Sequence, residues 1–394
     1  MSVKYPENVI KIAKILAASG HKAYAVGGCM RDSLMGRTPY DWDMTTDASP
    51  DRMLEIFNRA GMRTIPTGLK HGTVTVLIDG KGYECTTFRI DGSYTDSRHP
   101  DSVTFTSDVR DDLRRRDFTV NAMAGDVLGN STDGAIVDIF GGKDDIKNKV
   151  IRCVGDAGER FSEDALRILR AVRFATVLDF EIDEKTYIAA SRLCEGLASI
   201  SAERKKTELE KILLSPHVDR GVALLFDLGL TKYIHTDMVK PKVSLASLPP
   251  RFSTRFAALM PRGVIPELSQ MKLSGIESTQ IKKLCDFSLF CGEKSDKNAR
   301  YLLSVYGDLA EDASLLWGES ELCDIVASER KKDPCVSVSA LKINGNDLKS
   351  LKISPRLMGR IMSELLRAVI DDPSVNNKDK LMALALKIDA DIQR

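Results

Sequence analysis

Short apolar segments separated by turn residues dominate the first 140 residues of the chain, and longer helical repeats follow them. Residues 24–26 form a compact apolar segment that predicts a strand, and residues 40–44 predict another. Residues 51–60 have the apolar spacing of a helix that ends at Gly61. These signals predict an α+β arrangement for the N-terminal part of the chain.

A β-hairpin is the clearest prediction further along this part. Residues 73–78 and 83–88 are rich in β-branched and aromatic residues, and they flank the pair Asp79-Gly80. An Asp-Gly pair supplies the positive φ angles that tight hairpin turns require. Residues 91–103 are polar and contain Gly, Ser and Pro, which predicts a mobile loop with a functional role.

From residue 146 onward the pattern is almost wholly helical. A Gly-Gly break within residues 138–145 predicts a hinge before this region. Ser162, followed by two acidic residues, predicts the N-cap of a helix over residues 161–174. Residues 201–214 predict another capped helix with a basic stretch.

The residues with the clearest chemistry lie between positions 23 and 45. Gly27 and Gly28 lack a β-carbon, so their backbone N–H groups can approach a phosphate, and Arg31 follows one helical turn later. Asp41 and Asp43 would share one face of the predicted strand. Because adjacent carboxylates repel, this pair favours a divalent cation such as Mg²⁺ with bound phosphates. The local pattern therefore predicts phosphoryl or nucleotidyl transfer rather than a polar turn.

Two further groups extend this candidate site. Glu84 is either a third carboxylate near the aspartates or an exposed strand residue, and the sequence favours neither. The basic residues 114–116 can hold a triphosphate, with Asp117 and Asn121 orienting the arginines, although this stretch alone resembles an ordinary charged helix.

Asp164, Arg167, Arg170 and Arg173 recur every three residues in the predicted helix over residues 161–174. An aspartate accepts a hydrogen bond from a base amine, and an arginine donates to a ring nitrogen or carbonyl, so a neighbouring pair can read cytosine or adenine. Taken by themselves, these residues favour an i,i+3 ion pair on a helix surface.

Composition narrows the class of protein. The chain has 394 residues, 43% hydrophobic and 29% charged, and a net charge of +1, which is typical of a multidomain globular protein. It contains no apolar run long enough to span a membrane and no signal-peptide pattern. Eight cysteines without a CxxC pair argue against zinc and disulfides and fit a cytoplasmic location. Several basic runs allow an RNA-binding track, although each alone is usually a solvated helix face.

The ordered motifs resemble those of bacterial class II tRNA nucleotidyltransferases, the CCA-adding enzymes of the polymerase β superfamily. The resemblance covers essentially the whole chain and rests on GGCMRD with DWD, RRDFTVNAMA, DIFGGKDD, EDALRILRAVRF and SAERKKTELEKIL. It implies a polymerase-β-like nucleotidyltransferase head followed by an all-helical neck, body and tail. The implied bounds are residues 1–140, 141–215, 216–290 and 291–394.

The resemblance also implies residue roles and substrates. Asp41 and Asp43 would bind Mg²⁺ and carry catalysis, whereas the nucleotide would be bound by Gly28, Arg31, Arg116, Asp164, Arg167, Arg170 and Arg173. CTP and ATP would be joined without a template to the 3′ end of tRNA, which the tail would bind, and pyrophosphate would leave. Cys29 and Met30 depart from the usual first motif, and we expect them to alter packing rather than chemistry.

Three alternatives remain at the level of sequence. An A-adding enzyme acting on CC-ended tRNA shares these motifs, and a poly(A) polymerase shares the head. A non-catalytic RNA-binding relic would have lost its carboxylates, yet Asp41 and Asp43 are both present. The sequence does not determine the oligomeric state.

Overall fold

The computed structural model describes residues 3–92, 102–129 and 135–393. The chain forms two compact units, Met1–Thr236 and Asp237–Arg394. Most of the predicted mobile loop, residues 93–101, lies outside the described residues. The division into head, neck, body and tail is finer than these two units and stays a prediction.

Strands in the described part of the first unit are short. They are β1 Ala23–Val26, β2 Asp43–Thr46, β3 Arg63–Gly68, β4 Thr73–Ile78, β5 Lys81–Thr87, β6 Arg89–Asp91, β7 Val103–Phe105, β8 Ala124–Asp126, β9 Ile136–Val137, β10 Val150–Ile151 and β11 Glu181–Ile182. Seven of these described strands form one mixed sheet in the order β3-β4-β5-β2-β1-β8-β9, in which only the β2–β5 pair is parallel. Two two-stranded sheets, β6-β7 and β10-β11, lie apart from it.

The helices of the first unit are α1 Glu7–Ala18, α2 Gly28–Leu34, α3 Pro50–Arg59, α4 Val109–Arg114, α5 Gly142–Asn148, α6 Ala157–Glu163, α7 Leu166–Leu178, α8 Glu184–Arg192, α9 Ala202–Leu213, α10 Val218–Asp227 and α11 Thr231–Ile234. Helices α1 to α4 precede or lie between strands of the mixed sheet in the chain, and the helices from α5 onward follow its last strand, β9. The apolar faces of α1 and α3 cover one side of the sheet, where Ile12, Leu16 and Phe57 are fully buried. Burying these faces is what holds the short strands in place.

Helices make up the second unit. In its described residues they are α12 Phe252–Ala257, α13 Gly275–Cys285, α14 Asp296–Tyr306, α15 Ala310–Leu316, α16 Ser320–Arg330, α17 Gly345–Ser350, α18 Pro355–Asp371 and α19 Lys378–Gln393. Leu348, Leu365 and Leu381 come from three of these helices and meet in a common apolar core. None of the described helices of the chain is both long and apolar enough to cross a membrane. The predicted fold class is confirmed: a mixed sheet unit precedes a helical remainder.

The predicted hairpin is confirmed. Asp79 and Gly80 have φ angles of 51° and 75°, so both turn residues adopt the left-handed region that a two-residue hairpin needs. β4 and β5 pair from Ile78 opposite Lys81 back to Thr73 opposite Thr86.

The predicted strand over residues 40–44 is wrong in its bounds, because β2 begins only at Asp43. Asp43 pairs with Val26, the last residue of β1, and Gly27 then turns the chain away with a φ of 80°. Residues before Asp43 therefore have no neighbouring strand to pair with on that side. Asp41 precedes the strand rather than lying on it.

The single helix predicted over residues 161–174 is also wrong, because the chain breaks between α6 and α7. Asp164 has extended backbone angles, and its carboxylate accepts a hydrogen bond from the backbone N–H of Leu166 at 3.0 Å. A short polar side chain that bonds its own backbone competes with a continuous helix. Ser162 lies inside α6, whose N-cap is Asp156. By contrast, the helix predicted over residues 201–214 is found as α9 with Ser201 at its N-cap position.

Candidate active site

The Gly-Gly turn brings the start of α2 close to an arginine of a different motif. A β-carbon on Gly27 would lie 3.1 Å from the Arg116 Nη1 atom, and one on Gly28 would lie 3.6 Å from Arg31 Nη2. Gly27 also has a positive φ, which L-residues with a side chain rarely adopt. Glycine is therefore required at this turn for conformation and for close approach to a cation.

Three carboxylates lie around the start of β2. Met44 pairs with Cys85 in parallel register, so Asp43 and Glu84, the preceding residues, are neighbours on the same face. Asp41 and Asp43 are solvent-exposed, whereas Trp42 turns inward and packs edge-on against Tyr5 with ring centroids 5.8 Å apart. The structure thus places Glu84 beside the predicted pair.

The pKa of Asp43 reflects the crowding of these carboxylates. Although Asp43 keeps accessible surface, desolvation by the surrounding protein raises the pKa of its carboxyl group. The charge of Glu84 raises this pKa further and Asp41 adds to it, while Arg116 opposes the shift. Across the described residues, no group of three or more His, Cys, Asp or Glu side chains is arranged to hold a metal ion. The carboxylates therefore form an exposed anionic edge with one cation beside it.

Asp112 of α4 orients two arginines of the basic triplet. Its fully buried carboxylate accepts from Arg115 Nε at 2.9 Å and from Arg116 Nη2 at 3.1 Å. Burial alone would raise the pKa of Asp112, but the two guanidinium groups outweigh it and lower that pKa. The expectation that Asp117 and Asn121 hold this triplet is wrong, because these two residues bind arginines of other motifs.

A chain of hydrogen bonds links α2 to α7 through Asn121 and Asp117. Arg31 Nη1 donates to the Asn121 side-chain oxygen at 2.7 Å, and Asn121 Nδ2 donates to Asp117 Oδ1 at 3.4 Å. Arg170 Nε then donates to Asp117 Oδ2 at 2.7 Å. Arg31 is also paired with Asp32 at 2.8 Å, so its guanidinium is held on two sides.

Phe174 gathers three of the predicted arginines around its ring. The guanidinium carbons of Arg31, Arg170 and Arg173 lie 5.3, 5.4 and 3.8 Å from its centroid. Such cation–π contacts are favourable for partly desolvated cations. Arg173 also forms an ion pair of 2.5 Å with the buried Glu208. The structure thus unites Arg31 with the C-terminal part of the predicted ladder.

The N-terminal part of the ladder forms a separate group. Asp164 and Arg167 are both buried, so an ion pair on an exposed helix surface does not describe them. Asp164 Oδ2 is 2.6 Å from Arg204 Nη2, and Arg167 is paired with Glu163. Arg167 also donates to the Arg115 backbone oxygen at 3.4 Å, which ties α7 to the basic triplet.

Cys29 is a packing residue in this structure. Its thiol donates to the Val26 carbonyl at 3.2 Å, and burial together with the nearby Asp43 charge raises its pKa to about 11. The thiol therefore stays protonated at neutral pH, as a buried cysteine without chemistry does.

Sequence reasoning gave no role to several residues that shape this site. They are Asp112, Phe174, Arg204 and Glu208. Arg204 and Glu208 were recognisable as a pair one helical turn apart inside the last motif, SAERKKTELEKIL. Their partners are Asp164, at the break before α7, and Arg173 on α7, which are 40 and 35 residues away in the sequence. Asp112 precedes the basic triplet by an i,i+3 and i,i+4 spacing that favours ion pairs on a helix.

Two family models match the chain, the first within the first unit and the second up to four residues beyond its end. A family model described as "Poly A polymerase head domain" matches residues 23–152. A second, described as "Probable RNA and SrmB- binding site of polymerase A", matches residues 179–240. The first match contains the carboxylates, the Gly-Gly turn and the basic triplet.

Whole-length relatives extend this result. The chain is 34% identical to a CCA-adding enzyme of Levilactobacillus brevis, covering 94% of this chain and 95% of the relative, and 34% identical to one of Pediococcus pentosaceus, covering 98% of each. Its structure matches that of the Bacillus stearothermophilus CCA-adding enzyme in complex with CTP, with a TM-score of 0.81, 30% identity and 99% of both chains covered. The chain belongs to the CCA-adding enzyme family of nucleotidyltransferases.

Proposed function

We propose that this protein adds the CCA sequence to the 3′ end of tRNA from CTP and ATP, with Asp41 and Asp43 as the catalytic carboxylates. The observation that carries the proposal is the exposed pair Asp41 and Asp43, with Arg116 beside it, in a chain related over its whole length to CCA-adding enzymes. The relative from Bacillus stearothermophilus was solved with CTP, which supports CTP as a substrate here.

The donor set fits Mg²⁺. Asp41 and Asp43 are exposed carboxylates. Desolvation by the surrounding protein, and after it the charges of Glu84 and Asp41, raise the pKa of Asp43, and a divalent cation would relieve the repulsion between these carboxylates. Mg²⁺ prefers oxygen ligands and usually binds one or two carboxylates together with substrate phosphates. When bound, it would lower the pKa of the attacking hydroxyl and neutralise charge on the triphosphate.

The transfer reaction itself needs positioning more than it needs a protein nucleophile. The oxygen of the tRNA 3′-hydroxyl forms a bond to the α-phosphorus of CTP or ATP, and the hydroxyl proton passes to water. The bond from that phosphorus to the oxygen bridging to the β-phosphate breaks, and pyrophosphate leaves with the electron pair. Holding the two reactants in line and neutralising developing charge supply most of the acceleration.

In this proposal, the turn at Gly28 and the Arg116 side chain bind the phosphates of the nucleotide. Backbone N–H groups at a glycine turn can contact phosphate oxygens directly. Arg116 is held by Asp112 through one guanidinium nitrogen, Nη2, which leaves its Nη1 edge at the Gly27 turn. Arg31, tied to Asp32 and Asn121, contributes positive charge and fixes α2 in position.

In this proposal, Asp164 and Arg167 select the base of the incoming nucleotide. Arg170 and Arg173 complete the nucleotide pocket. Both residues of the first pair are buried, and discrimination by hydrogen bonds is strongest where an unmatched polar group stays unpaired. Cytosine and adenine each offer an amino group beside an acceptor nitrogen, which suits a carboxylate beside a guanidinium.

The test is an extension assay on three tRNA transcripts that end before CCA, after C and after CC, each with CTP, ATP or both. Addition of CCA to the first transcript is the expected result. Extension of only the CC-ended transcript, and only with ATP, would make the protein an A-adding enzyme. Long A tails on any of them would make it a poly(A) polymerase.

A further inference from the structure

One aromatic side chain next to the candidate active site projects from the fold into solvent. Tyr40 is 96% exposed, more than any other large apolar side chain of the described residues. Among those residues, its ring packs on no other ring and its hydroxyl has no hydrogen-bond partner. The next residue in the chain is Asp41, one of the proposed catalytic carboxylates. A tyrosine so placed adds nothing to the core, and its ring is open to a molecule that approaches Asp41.

The two aromatic residues that flank Asp41 point in different directions. Trp42 turns inward and packs edge-on against Tyr5 beside the core of the sheet. An extended chain would place positions 40 and 42 on the same face. The chain instead bends at Tyr40, and this bend directs the ring to solvent on the exposed side of Asp41.

The segment that carries Tyr40 is anchored at both ends. Just after α2, Gly36 has a φ of 72°, and the backbone N–H of Arg37 donates to the Asp32 carbonyl at 2.8 Å. At the other end, Asp43 begins β2 and enters the sheet. A ring on a short anchored segment is partly pre-organised, so it loses less conformational freedom on binding a flat partner.

The incoming nucleotide already has its binding groups in the proposed reaction. The Gly28 turn and Arg116 would bind its phosphates, and the buried residues around Asp164 would bind its base. The second reactant is the RNA, whose 3′-hydroxyl must reach the same carboxylates. Because Tyr40 is joined directly to Asp41, its ring is placed to contact the end of that RNA.

Stacking on a tyrosine suits an RNA end whose sequence changes during the reaction. Under the proposed function, the terminal base is first that of the unextended tRNA and then the cytosine of each earlier addition. Hydrogen bonds to a base edge would reject some of these ends. Every base has a π-face, so stacking on an aromatic ring tolerates any of them.

We propose that the Tyr40 ring stacks on the 3′-terminal base of the RNA and thereby positions the 3′-hydroxyl at Asp41 and Asp43. The inference rests on the proposed function, which supplies the RNA and the reaction. Tyr40 is then a substrate-positioning residue, while metal binding stays with the carboxylates and choice of the incoming base with Asp164. Alignment of the reacting atoms strongly affects the rate, so the ring affects turnover as well as RNA affinity.

The test is a double-mutant cycle between Tyr40 and the base that it is proposed to contact. A CC-ended tRNA transcript, and a copy whose 3′-terminal nucleotide is abasic but keeps its hydroxyl, are extended with ATP. Tyr40→Ala should lower kcat/KM for the CC-ended transcript at least about tenfold, as expected for loss of one base–aromatic stack. The penalty of the abasic end should be at least about fivefold smaller in Tyr40→Ala than in the wild type, because the stack is already lost. Tyr40→Phe keeps the ring and should match the wild type.

Two control variants separate the ring from general effects of exposed side chains. Ile276→Ala removes an apolar side chain of the second unit that is 73% exposed, and both transcripts should react as in the wild type. Arg37→Gln removes an exposed charge from the same segment and should leave the abasic penalty unchanged. A penalty in Tyr40→Ala as large as in the wild type would overturn the proposal. A raised KM for ATP with an unchanged kcat/KM for the RNA would also overturn it, because the ring would then contact the incoming base.

Binding measurements distinguish this inference from the proposed function. Dissociation constants of both transcripts are measured with Mg²⁺ and an ATP analogue that carries a methylene group between the α- and β-phosphorus, and they should show the same coupling without transfer. Coupling in a wild-type chain that adds no nucleotide would contradict the proposed function and leave the Tyr40 stack standing. CCA addition without coupling in either measurement would refute the stack and leave the proposed function standing. An unchanged melting temperature of Tyr40→Ala shows that folding is intact.

Discussion

Asp117, in the segment that follows α4, and Arg170 of α7 form a hydrogen-bonded ion pair, with 2.7 Å between Oδ2 and Nε. They are 53 residues apart in the sequence. Asp117 is buried, and its other carboxylate oxygen accepts from the Phe118 backbone N–H at 2.9 Å. Burial by itself would raise the pKa of Asp117, but Arg170 outweighs it by charge and hydrogen bonding and lowers that pKa. This pair connects the residues proposed to bind phosphate with those proposed to select the base.

Replacing Asp117 with asparagine should destabilise the fold by about 2–3 kcal/mol. The amide keeps the shape but leaves the Arg170 charge without its main partner, and breaking one side of a buried pair costs about 3–5 kcal/mol. We expect less than that range because a third of the Arg170 side chain is exposed. Urea unfolding measures the loss. Glu55→Gln, which removes the exposed ion pairs with Arg52 and Arg59, is the control and should leave the free energy of unfolding nearly unchanged. Equal effects of the two changes would refute the role of the Asp117 pair.

Acid should weaken the fold partly through Asp112. Its pKa in the folded state lies below the ordinary 3.8, so the stability it contributes is fully present above pH 3.8. That contribution is lost as the pH falls through the lower folded-state pKa. The free energy of unfolding of Asp112→Asn should therefore lie well below that of the wild type at pH 6, and the gap should narrow below pH 3.8.

Unfolding by urea at a series of pH values checks this window. Asp51→Asn, at an exposed residue of α3, serves as the control and should track the wild type throughout. A gap between Asp112→Asn and the wild type that stays constant down to pH 2.5 would show that the Asp112 charge contributes nothing.

Removing either of the two proposed catalytic carboxylates should abolish nucleotide addition while tRNA binding persists. Asp41→Ala and Asp43→Asn should each lower turnover by at least about 10³. Each change removes a carboxylate proposed to hold the metal ion that orders the triphosphate and neutralises its charge. Filter binding of tRNA should change less than threefold. Chelation by EDTA should reproduce the loss, and added Mg²⁺ should restore activity only to the wild type. Normal turnover in Asp41→Ala would exclude it from the metal site.

We expect Glu84 to strengthen Mg²⁺ binding without being essential for turnover. It lies next to Asp43 and its charge adds to the local negative field, so Glu84→Gln should raise the Mg²⁺ concentration for half-maximal activity several-fold. Maximal turnover at saturating Mg²⁺ should stay within about threefold of the wild type. Loss as complete as in Asp43→Asn would instead make Glu84 a metal ligand.

Base choice should depend on Asp164 more than on its partner Arg204. Asp164→Ala removes the acceptor, so selectivity for CTP and ATP over UTP should fall at least tenfold in kcat/KM. It also removes the hydrogen bond to the Leu166 N–H at the start of α7, which should cost about 1 kcal/mol of stability. Arg204→Gln keeps the carboxylate and should retain most of the selectivity. Unchanged selectivity in Asp164→Ala would leave Asp164 a structural residue.

The local chemistry of the site could be predicted from the sequence alone. The Gly-Gly turn, the pair Asp41 and Asp43 and the hairpin at Asp79-Gly80 depend on residues a few positions apart, so spacing and residue type are enough to recognise them. The order of five such motifs over the chain then indicated the family, and whole-length relatives confirmed it. The mixed sheet unit and the helical remainder followed from hydrophobic periodicity.

The pairing of charged groups could not be predicted from the sequence, because it depends on tertiary contacts. Asp117 binds Arg170 rather than the adjacent triplet, Asp164 binds Arg204, and the break at Asp164 divides a helix that periodicity alone predicts as continuous. Many arginines and carboxylates in one chain allow many pairings of similar local quality. Only the packing of α7 and α9 against each other and around Phe118 and Phe174 selects among them, because ion pairs act over a few ångströms and the chain must first bring the groups there.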